Sequence, residues 1–193
     1  FLVLRAVHEA VADAGLMGKD IGHLRAEIIM GRGNYLGAGL SNLLQRGVMT
    51  QQTLNIVSAL NPNMSAEELL AIQQELRGTL PPFHAETAPG MIPNITTGRV
   101  ANRLNFMGAN FTVDAACASS LIATELAVRD LLTHHCDLAL AGGVHIFTNV
   151  PFLMVFSALG ALSYTSTCRP FDKNCDGTMT GEGCTCPRFA PAT

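Results

Sequence analysis

Residues 109–146 constrain the fold more than any other part of the sequence, because they form one strand–helix–strand pattern. A strand is predicted from Ala109 to Val113, followed by the sharp small-residue turn DAAC and a helix from about Ala118 to His134. The apolar run DLALAGGVHI then predicts a second buried strand. Strands that alternate with helices in this way are typical of sheets covered by helices, so we predict an α/β fold.

The helix inside this unit is apolar around most of its circumference, which predicts that it is buried on most sides. Its apolar residues include Leu121, Ile122, Leu126, Val128, Leu131 and Leu132. A further helix, PFLMVFSALGAL, is predicted to begin at Pro151, because proline is favoured at the first position of a helix.

The N-terminal part of the chain continues the alternation of helices and strands. The first 14 residues predict a helix that ends at Gly15, a residue suited to the C-terminal cap. The face assigned to the core consists of Phe1, Leu4, Val7, Val11 and Ala14. The segment AEIIM, from Ala26 to Met30, predicts a short buried strand.

Residues 40–80 are predicted to be helical. Thr50 is a candidate N-cap, and Ser65 with Glu68 matches a capping box for a helix that should stop near Gly78. The following stretch, TLPPFHAETAPGMIPN, contains four prolines and is predicted to be a loop.

The composition limits the function classes that fit the chain. Charged residues make up 14% of it, well below the roughly 25% of an average soluble domain, so the chain either buries surface against a partner or is a segment of a larger domain. A net charge of −3 argues against nucleic acid or an anionic membrane as the main partner. No apolar run reaches the ~18 residues of a membrane span, and without an export signal we expect a cytoplasmic protein.

The six cysteines predict neither a disulfide framework nor a metal site. Four of them cluster late in the chain, at Cys168, Cys175, Cys184 and Cys186, but their spacing gives no CxxC pair for zinc. We therefore predict no bound metal.

Cys117 is the candidate nucleophile. It lies between the end of a strand and the first turn of a helix, where backbone N–H groups and the positive helix end stabilise a thiolate. The same N–H groups can bind the oxyanion that forms when a thioester carbonyl is attacked. A buried structural cysteine is the alternative, since free cysteines are among the most frequently buried residues.

The segment VDAACASSL around Cys117 resembles the nucleophile motif of β-ketoacyl synthases. DLALAGGV and RPFDKNCDGTMTGEG also resemble segments of this family, in the family's order, so the match covers residues 1–183. The last segment is similar to elongating synthases rather than to ketoacyl synthase III or chalcone synthases. The middle of the chain looks closest to iterative type I polyketide, polyunsaturated fatty acid and heterocyst-glycolipid synthases.

The resemblance implies a thiolase-like layered fold of which this chain holds the N-terminal half and part of the second. It implies that Cys117 takes an acyl group from a phosphopantetheine thioester on an acyl carrier protein. Decarboxylation of a malonyl thioester then gives a carbanion that attacks the acyl-enzyme. No cofactor is bound, and the family pairs as homodimers, in part through the strand here at Ala109–Val113.

The same resemblance implies roles for four other residues. Phe156 matches a family phenylalanine near the acyl tunnel, although a core aromatic is an equal alternative. Asp172, Asp176 and Glu182 match loop residues that we interpret as structural.

The sequence departs from the family in two respects. The two histidines that the family uses in decarboxylation belong to its C-terminal half, and none of the six histidines here lies in a matching motif. The family also continues after GEG with an apolar strand, whereas residues 184–193 contain two prolines, which predicts an aberrant or truncated tail without a strand. We therefore expect this chain alone to be inactive in the full condensation.

Two alternatives to an active synthase remain from the sequence. Gly31, Gly33 and Gly37 fit the glycine spacing of a nucleotide-dependent oxidoreductase, although a lone glycine pattern is weak and no acidic residue follows on a second strand. The other alternative is a non-catalytic partner protein of ketosynthase type, against which the presence of Cys117 argues.

Overall fold

The computed structural model describes residues 1–19, 21–22, 24–33, 37–146 and 150–190. The chain divides into two compact units, of which the first comprises Phe1–Tyr35 with Ile92–Thr193 and the second Leu36–Met91. The helices are α1 (Leu2–Asp13), α2 (Ala38–Leu44), α3 (Thr50–Leu60), α4 (Ala66–Gly78), α5 (Ala88–Met91), α6 (Ile95–Leu104), α7 (Ser119–Leu132) and α8 (Val150–Ala158). None of the described helices is long and apolar enough to cross a membrane.

The described part of the first unit contains a five-stranded sheet. Its strands are β1 (Ala26–Gly31), β2 (Asn110–Val113), β3 (Leu138–His145), β4 (Gly183–Thr185) and β5 (Arg188–Phe189). β1 lies between β2 and β3 and is parallel to both, and β4 and β5 pair with β3 in the antiparallel sense. The three parallel strands therefore end at the same edge of the sheet, which confirms the predicted α/β fold.

Helices cover both faces of the sheet, because alternate residues of β1 point to opposite faces and all six are buried. Ile28 and Met30 join a buried cluster with residues of α1 and α6, such as Val7 and Val100. Ile29 lies on the other face, in a cluster with α7. Complete burial of such side chains stabilises the fold by about 1.5–3 kcal/mol each.

The predicted end of α1 is confirmed, and its predicted face is partly wrong. Gly15 has a φ of +64°, its N–H donates to Ala12, and the next N–H donates to Val11, as expected of a helix stopped by a left-handed glycine. Val3, Val7 and Val11 form the buried stripe, whereas Phe1 precedes the helix and is 97% exposed.

The second unit contains the predicted capping box. The Glu68 N–H donates to the Ser65 hydroxyl at 3.2 Å, the Ser65 N–H donates to the Glu68 carboxylate at 2.8 Å, and α4 ends at Gly78.

Two other predictions for the second unit are wrong. Thr50 caps no helix start, because a π-helical segment, Gln45–Met49, runs directly into α3 and the Thr50 hydroxyl donates to the Gln45 carbonyl. Residues 85–91 form a 3₁₀ turn and the short helix α5 within the predicted loop. Pro89 is the second residue of α5, in the first turn, where proline is tolerated.

The prediction that residues 184–193 contain no strand is also wrong, since β4 extends from Gly183, the last residue of GEG, to Thr185, and β5 follows at Arg188–Phe189. Pro187 lies between β4 and β5, so its lack of an N–H removes no hydrogen bond between strands. Its carbonyl accepts a hydrogen bond from the Ala141 N–H at 3.3 Å. Cys184 and Cys186 are two positions apart and both pack against the same core cluster, so this segment has the alternation of side chains expected of a strand.

α7 is buried along one stripe rather than on most sides, which corrects the prediction from its composition. Ser119, Ala123, Ala127 and Leu131 form this stripe, at i, i+4 spacing. The small alanines let the helix lie close to the sheet. Leu121 and Leu132, at 72% and 75% exposure, remain on the outer surface of the helix.

Candidate active site

The N-terminus of α7 lies against the carboxyl ends of β1 and β3. A Cβ on Gly31 would meet the Ser119 carbonyl carbon and the Ser120 nitrogen at 2.5 Å each. A Cβ on Gly143 would meet the Ser120 Cβ at 2.8 Å. Glycine at the end of β1 and two residues before the end of β3 is therefore what allows the start of α7 to lie on the sheet.

The turn before α7 is held by side chains on both sides of Cys117. Ala116 adopts a left-handed φ of +50°, and its N–H donates to the Asp114 carboxylate at 3.0 Å. The Ser119 hydroxyl donates to the Ala116 carbonyl at 2.6 Å and accepts from the Ala115 N–H at 2.9 Å. A non-glycine residue in this region costs about 1–3 kcal/mol, which these bonds and the packing of α7 offset.

Cys117 is exposed at this turn, in a 3₁₀ segment, Ala116–Ala118, that leads into α7. Cys136 and Cys186 are by contrast buried, and burial raises the pKa of each thiol to about 12. Cys117 therefore differs from these two cysteines in being accessible to a substrate, as a nucleophile must be.

Cys117 opens into a cleft of about 390 Å³, hereafter the Cys117 cleft. Glycines, hydroxyls and aromatic rings line it: Gly31, Gly33, Ala116, Cys117, Ser119, Ser120, Gly143, Val144, His145, Phe152, Phe156, Thr180, Gly181, Gly183 and Thr185. The structure thus brings Phe156, singled out from the sequence, into the same cleft as Cys117. Its proposed contact with the acyl chain stays a prediction.

Three rings form a continuous row along the wall of the cleft. The His145 ring lies 5.4 Å from the Phe152 ring, and Phe152 stacks on Phe156 at 4.3 Å between centroids. Phe152 and Phe156 are one helical turn apart on α8 and are both half-buried. His145 and Phe152 were not predicted as site residues from the sequence. The alternation of side chains along the predicted strand could have indicated that His145 lies on the same face of the sheet as Gly143.

The loop after α8 is organised by Asp176, which confirms its interpretation as a structural residue. Its carboxylate accepts from the Ser163 hydroxyl at 2.8 Å and from both the N–H and the hydroxyl of Thr165. Led by the Ser163 bond, these interactions lower the pKa of Asp176. Asp172 accepts from the Asn174 N–H, whereas the role of Glu182 stays a prediction.

The other histidines lie away from this cleft or outside the described residues. His134 and His135 follow the end of α7, and His135 lies 3.8 Å from Asp130. His23 belongs to the undescribed residues. Within the described part of the chain, no group of three or more His, Cys, Asp or Glu side chains could hold a metal ion.

The first glycine of the nucleotide alternative has a different explanation in the structure. Gly31 is the last residue of β1, and its missing Cβ makes room for the backbone of α7. The loop that would cradle a phosphate includes residues 34–36, which lie outside the described residues. The close packing at Gly31 thus accounts for the first glycine without a phosphate.

The sequence matches the family described as "Beta-ketoacyl synthase, N-terminal domain" over residues 1–186. The chain belongs to the β-ketoacyl synthase family. It is 29% identical over 182 residues to a polyunsaturated fatty acid synthase of Thraustochytrium sp., which covers 93% of this chain and 6% of that protein. It is 30% identical over 182 residues to the non-reducing polyketide synthase mapC' of Penicillium brevicompactum, covering 94% of this chain and 7% of the relative.

A solved ketosynthase has the same fold. The β-ketoacyl synthase from Burkholderia phymatum superposes with a TM-score of 0.70 at 23% identity, over 98% of this chain and 41% of that chain. This similarity supports the predicted thiolase-like fold, and the relatives confirm the predicted kinship with polyketide and polyunsaturated fatty acid synthases. The ketosynthase chain described here spans only 6% and 7% of the length of the two relatives.

Proposed function

We propose that this chain carries the acyl-accepting site of a β-ketoacyl-acyl carrier protein synthase, with Cys117 as the nucleophile. The observation that carries the proposal is the position of Cys117: exposed, at the strained turn before α7, and opening into a cleft with an aromatic wall. The family membership supplies the reaction class.

In the proposed first step, the Cys117 sulfur attacks the carbonyl carbon of an acyl thioester on the phosphopantetheine of an acyl carrier protein. A new S–C bond forms, the bond to the carrier sulfur breaks, and the Cys117 proton ends on the released carrier thiol. The backbone N–H of residue 117 would be one donor to the oxyanion. Covalent catalysis of this kind divides a difficult condensation into two easier steps.

In the proposed second step, a malonyl thioester loses CO₂ and its carbanion attacks the acyl-Cys117 carbonyl, which releases Cys117 and gives a β-ketoacyl product. The family performs the decarboxylation with two histidines, and no histidine of this chain lies in a matching motif. We therefore infer that the chain alone stops at the acyl-enzyme. No release of CO₂ from malonyl-carrier is expected, and measurable turnover would contradict this inference.

The expected partners follow from the same proposal: an acyl carrier protein, acyl and malonyl thioesters, and a second copy of the chain, in a cytoplasmic enzyme. β2 is the terminal strand of the sheet as described, so its outer edge offers backbone groups for pairing with another β2. This supports the predicted homodimer through the strand at 109–113.

The test is acylation followed by mass spectrometry. Incubation with an acyl thioester should give one acyl adduct, located at Cys117 by peptide mapping and absent from Cys117→Ser. Cys168 and Cys175 are also exposed and serve as internal references for iodoacetamide, which should modify Cys117 faster. An unmodified Cys117 would favour the non-catalytic partner protein, and alkylation no faster than at the references would argue against an activated thiolate.

A further inference from the structure

The Cys117 cleft is not uniformly apolar, which bears on the acyl group it would hold. Besides Val144, Phe152 and Phe156, its lining includes the side chains of Ser120, Thr180, Thr185 and His145. His145 has the most extended hydrogen-bonding side chain of these and is half-buried at the end of β3. The motif similarity to β-ketoacyl synthases assigns it no role.

The alternation of β3 places His145 on the face of the sheet that carries the start of α7. Side chains two residues apart share a face of a strand, so His145 points to the same side as Gly143, where a Cβ would touch Ser120. His145 lies about 7 Å further toward the carboxyl end of the strand. α7 runs antiparallel to β3, and Cys117 precedes Ser120 by three residues. Cys117 therefore lies, like His145, on the side of the Gly143–Ser120 contact that is toward the carboxyl end of β3.

The row of rings makes one wall of the Cys117 cleft change in polarity along its length. The imidazole packs on Phe152, which stacks on Phe156, so the wall changes from a polar ring to apolar rings. A saturated chain gains nothing from an imidazole nitrogen beside its first carbons, whereas a hydroxyl or keto oxygen there can exchange a hydrogen bond with it.

We propose that His145 is a specificity-determining residue of the Cys117 cleft, which favours acyl groups that carry an oxygen close to the thioester over saturated acyl groups. This inference rests on the proposed function, because it requires an acyl group on Cys117. A neutral hydrogen bond contributes about 0.5–1.5 kcal/mol, which corresponds to a preference of about two- to tenfold.

The test compares two small thioesters on the whole 193-residue chain. Hexanoyl- and 3-hydroxyhexanoyl-N-acetylcysteamine compete for Cys117, and intact-protein mass spectrometry measures the ratio of the two adducts. The hydroxyacyl adduct should predominate in the wild type by about two- to tenfold. His145→Phe keeps a ring against Phe152 but removes both nitrogens, so it should bring the ratio close to one.

Two further variants separate specificity from folding. His145→Gln retains a hydrogen-bonding group and should restore part of the preference. His135→Phe removes an imidazole at the opposite end of α7 and should leave the ratio unchanged. Because the ratio is taken within one protein sample, a general loss of folded protein does not alter it.

The outcomes distinguish this inference from the proposed function. A wild-type ratio near one, or a preference that survives in His145→Phe, would overturn the role of His145 while leaving Cys117 as the nucleophile. Absence of either adduct from Cys117 would overturn the proposed function itself.

Discussion

The contact between Gly31 and the start of α7 leads to a prediction about both stability and reactivity. In Gly31→Ala, the new Cβ would lie 2.5 Å from the Ser119 carbonyl carbon and the Ser120 nitrogen, whereas ordinary contact begins near 3.4 Å. The start of α7 must therefore retreat from β1 by the difference, about 0.9 Å. The opposing atoms are backbone, so no side-chain rotation can relieve the overlap.

The cost should lie at the upper end of the range for overpacking, about 3 kcal/mol. In a chain of this size, this corresponds to a decrease in Tm of roughly 6–12 °C. Since the turn that carries Cys117 is attached to α7, the nucleophile should move with it. A displacement of about 1 Å at a reacting group can cost 10²-fold in rate, so acylation of Cys117 should fall by up to this factor.

Urea unfolding and the rate of Cys117 acylation measure the two effects. Gly78→Ala is the matched control, because Gly78 is the last residue of α4 and its Cβ would meet nothing within 4 Å. It should be neutral or stabilising by up to about 1 kcal/mol. The reasoning would be refuted if the free energy of unfolding of Gly31→Ala lay within about 0.5 kcal/mol of the wild-type value and the rate of Cys117 acylation were unchanged.

Three other predictions concern stability and its dependence on pH. Hydrogen bonds from Arg25 lower the pKa of Asp137 to about 2. The stability that this pair contributes is therefore present above about pH 4 and is lost as the pH falls through 2. At about pH 2, the difference in urea midpoint between the wild type and Asp137→Asn should vanish. Glu27 is 2% exposed, and burial raises the pKa of its carboxyl group. The protein is therefore most stable while Glu27 is protonated, and it loses free energy of unfolding as the pH rises through that pKa. Glu27→Gln should unfold at a higher urea concentration than the wild type at pH 8 but not at pH 4. Ser65→Ala removes the capping hydroxyl of α4 and should cost about 1 kcal/mol in urea unfolding, whereas equal stability would show that the box contributes nothing.

Glu27 is a buried carboxylate on the α7 face of the sheet, near the Cys136 thiol, Asp130 and His135. Its Oε1 atom has no hydrogen-bond partner among the described residues. A carboxylate in such a place is costly when charged, which is the physical basis of the pH prediction. From the sequence, Glu27 was predicted only as part of an apolar strand, with no role of its own.

Local features were predictable from the sequence because their causes lie within a few residues. The buried strand β1, the capping box of Ser65 and Glu68, and the end of α1 at Gly15 each depend on side-chain periodicity or on neighbours three or four positions apart. Thr50 was misjudged as a helix start because no local signal shows that the segment Gln45–Met49 continues into α3 without a break.

The site was predictable only in part. The position of Cys117 at a strand–helix turn follows from its own segment, and Phe156 could be added by resemblance. His145 and Phe152 could not be placed beside Cys117 from local patterns, because a cleft forms from residues that only the packing of β3 and α8 brings together. The left-handed turn at Ala116 is likewise imposed by its bonds to Asp114 and Ser119.

The sequence by itself determined the alternation of strands and helices, the family, and the residue most suited to be a nucleophile, because these depend on periodicity and on contiguous motifs. Only the tertiary structure decided that Gly31 must be glycine, that the last part of the chain adds strands to the sheet, and which rings line the Cys117 cleft. These features depend on backbone approach and on pairing between segments far apart in the chain, for which a single sequence contains no local pattern.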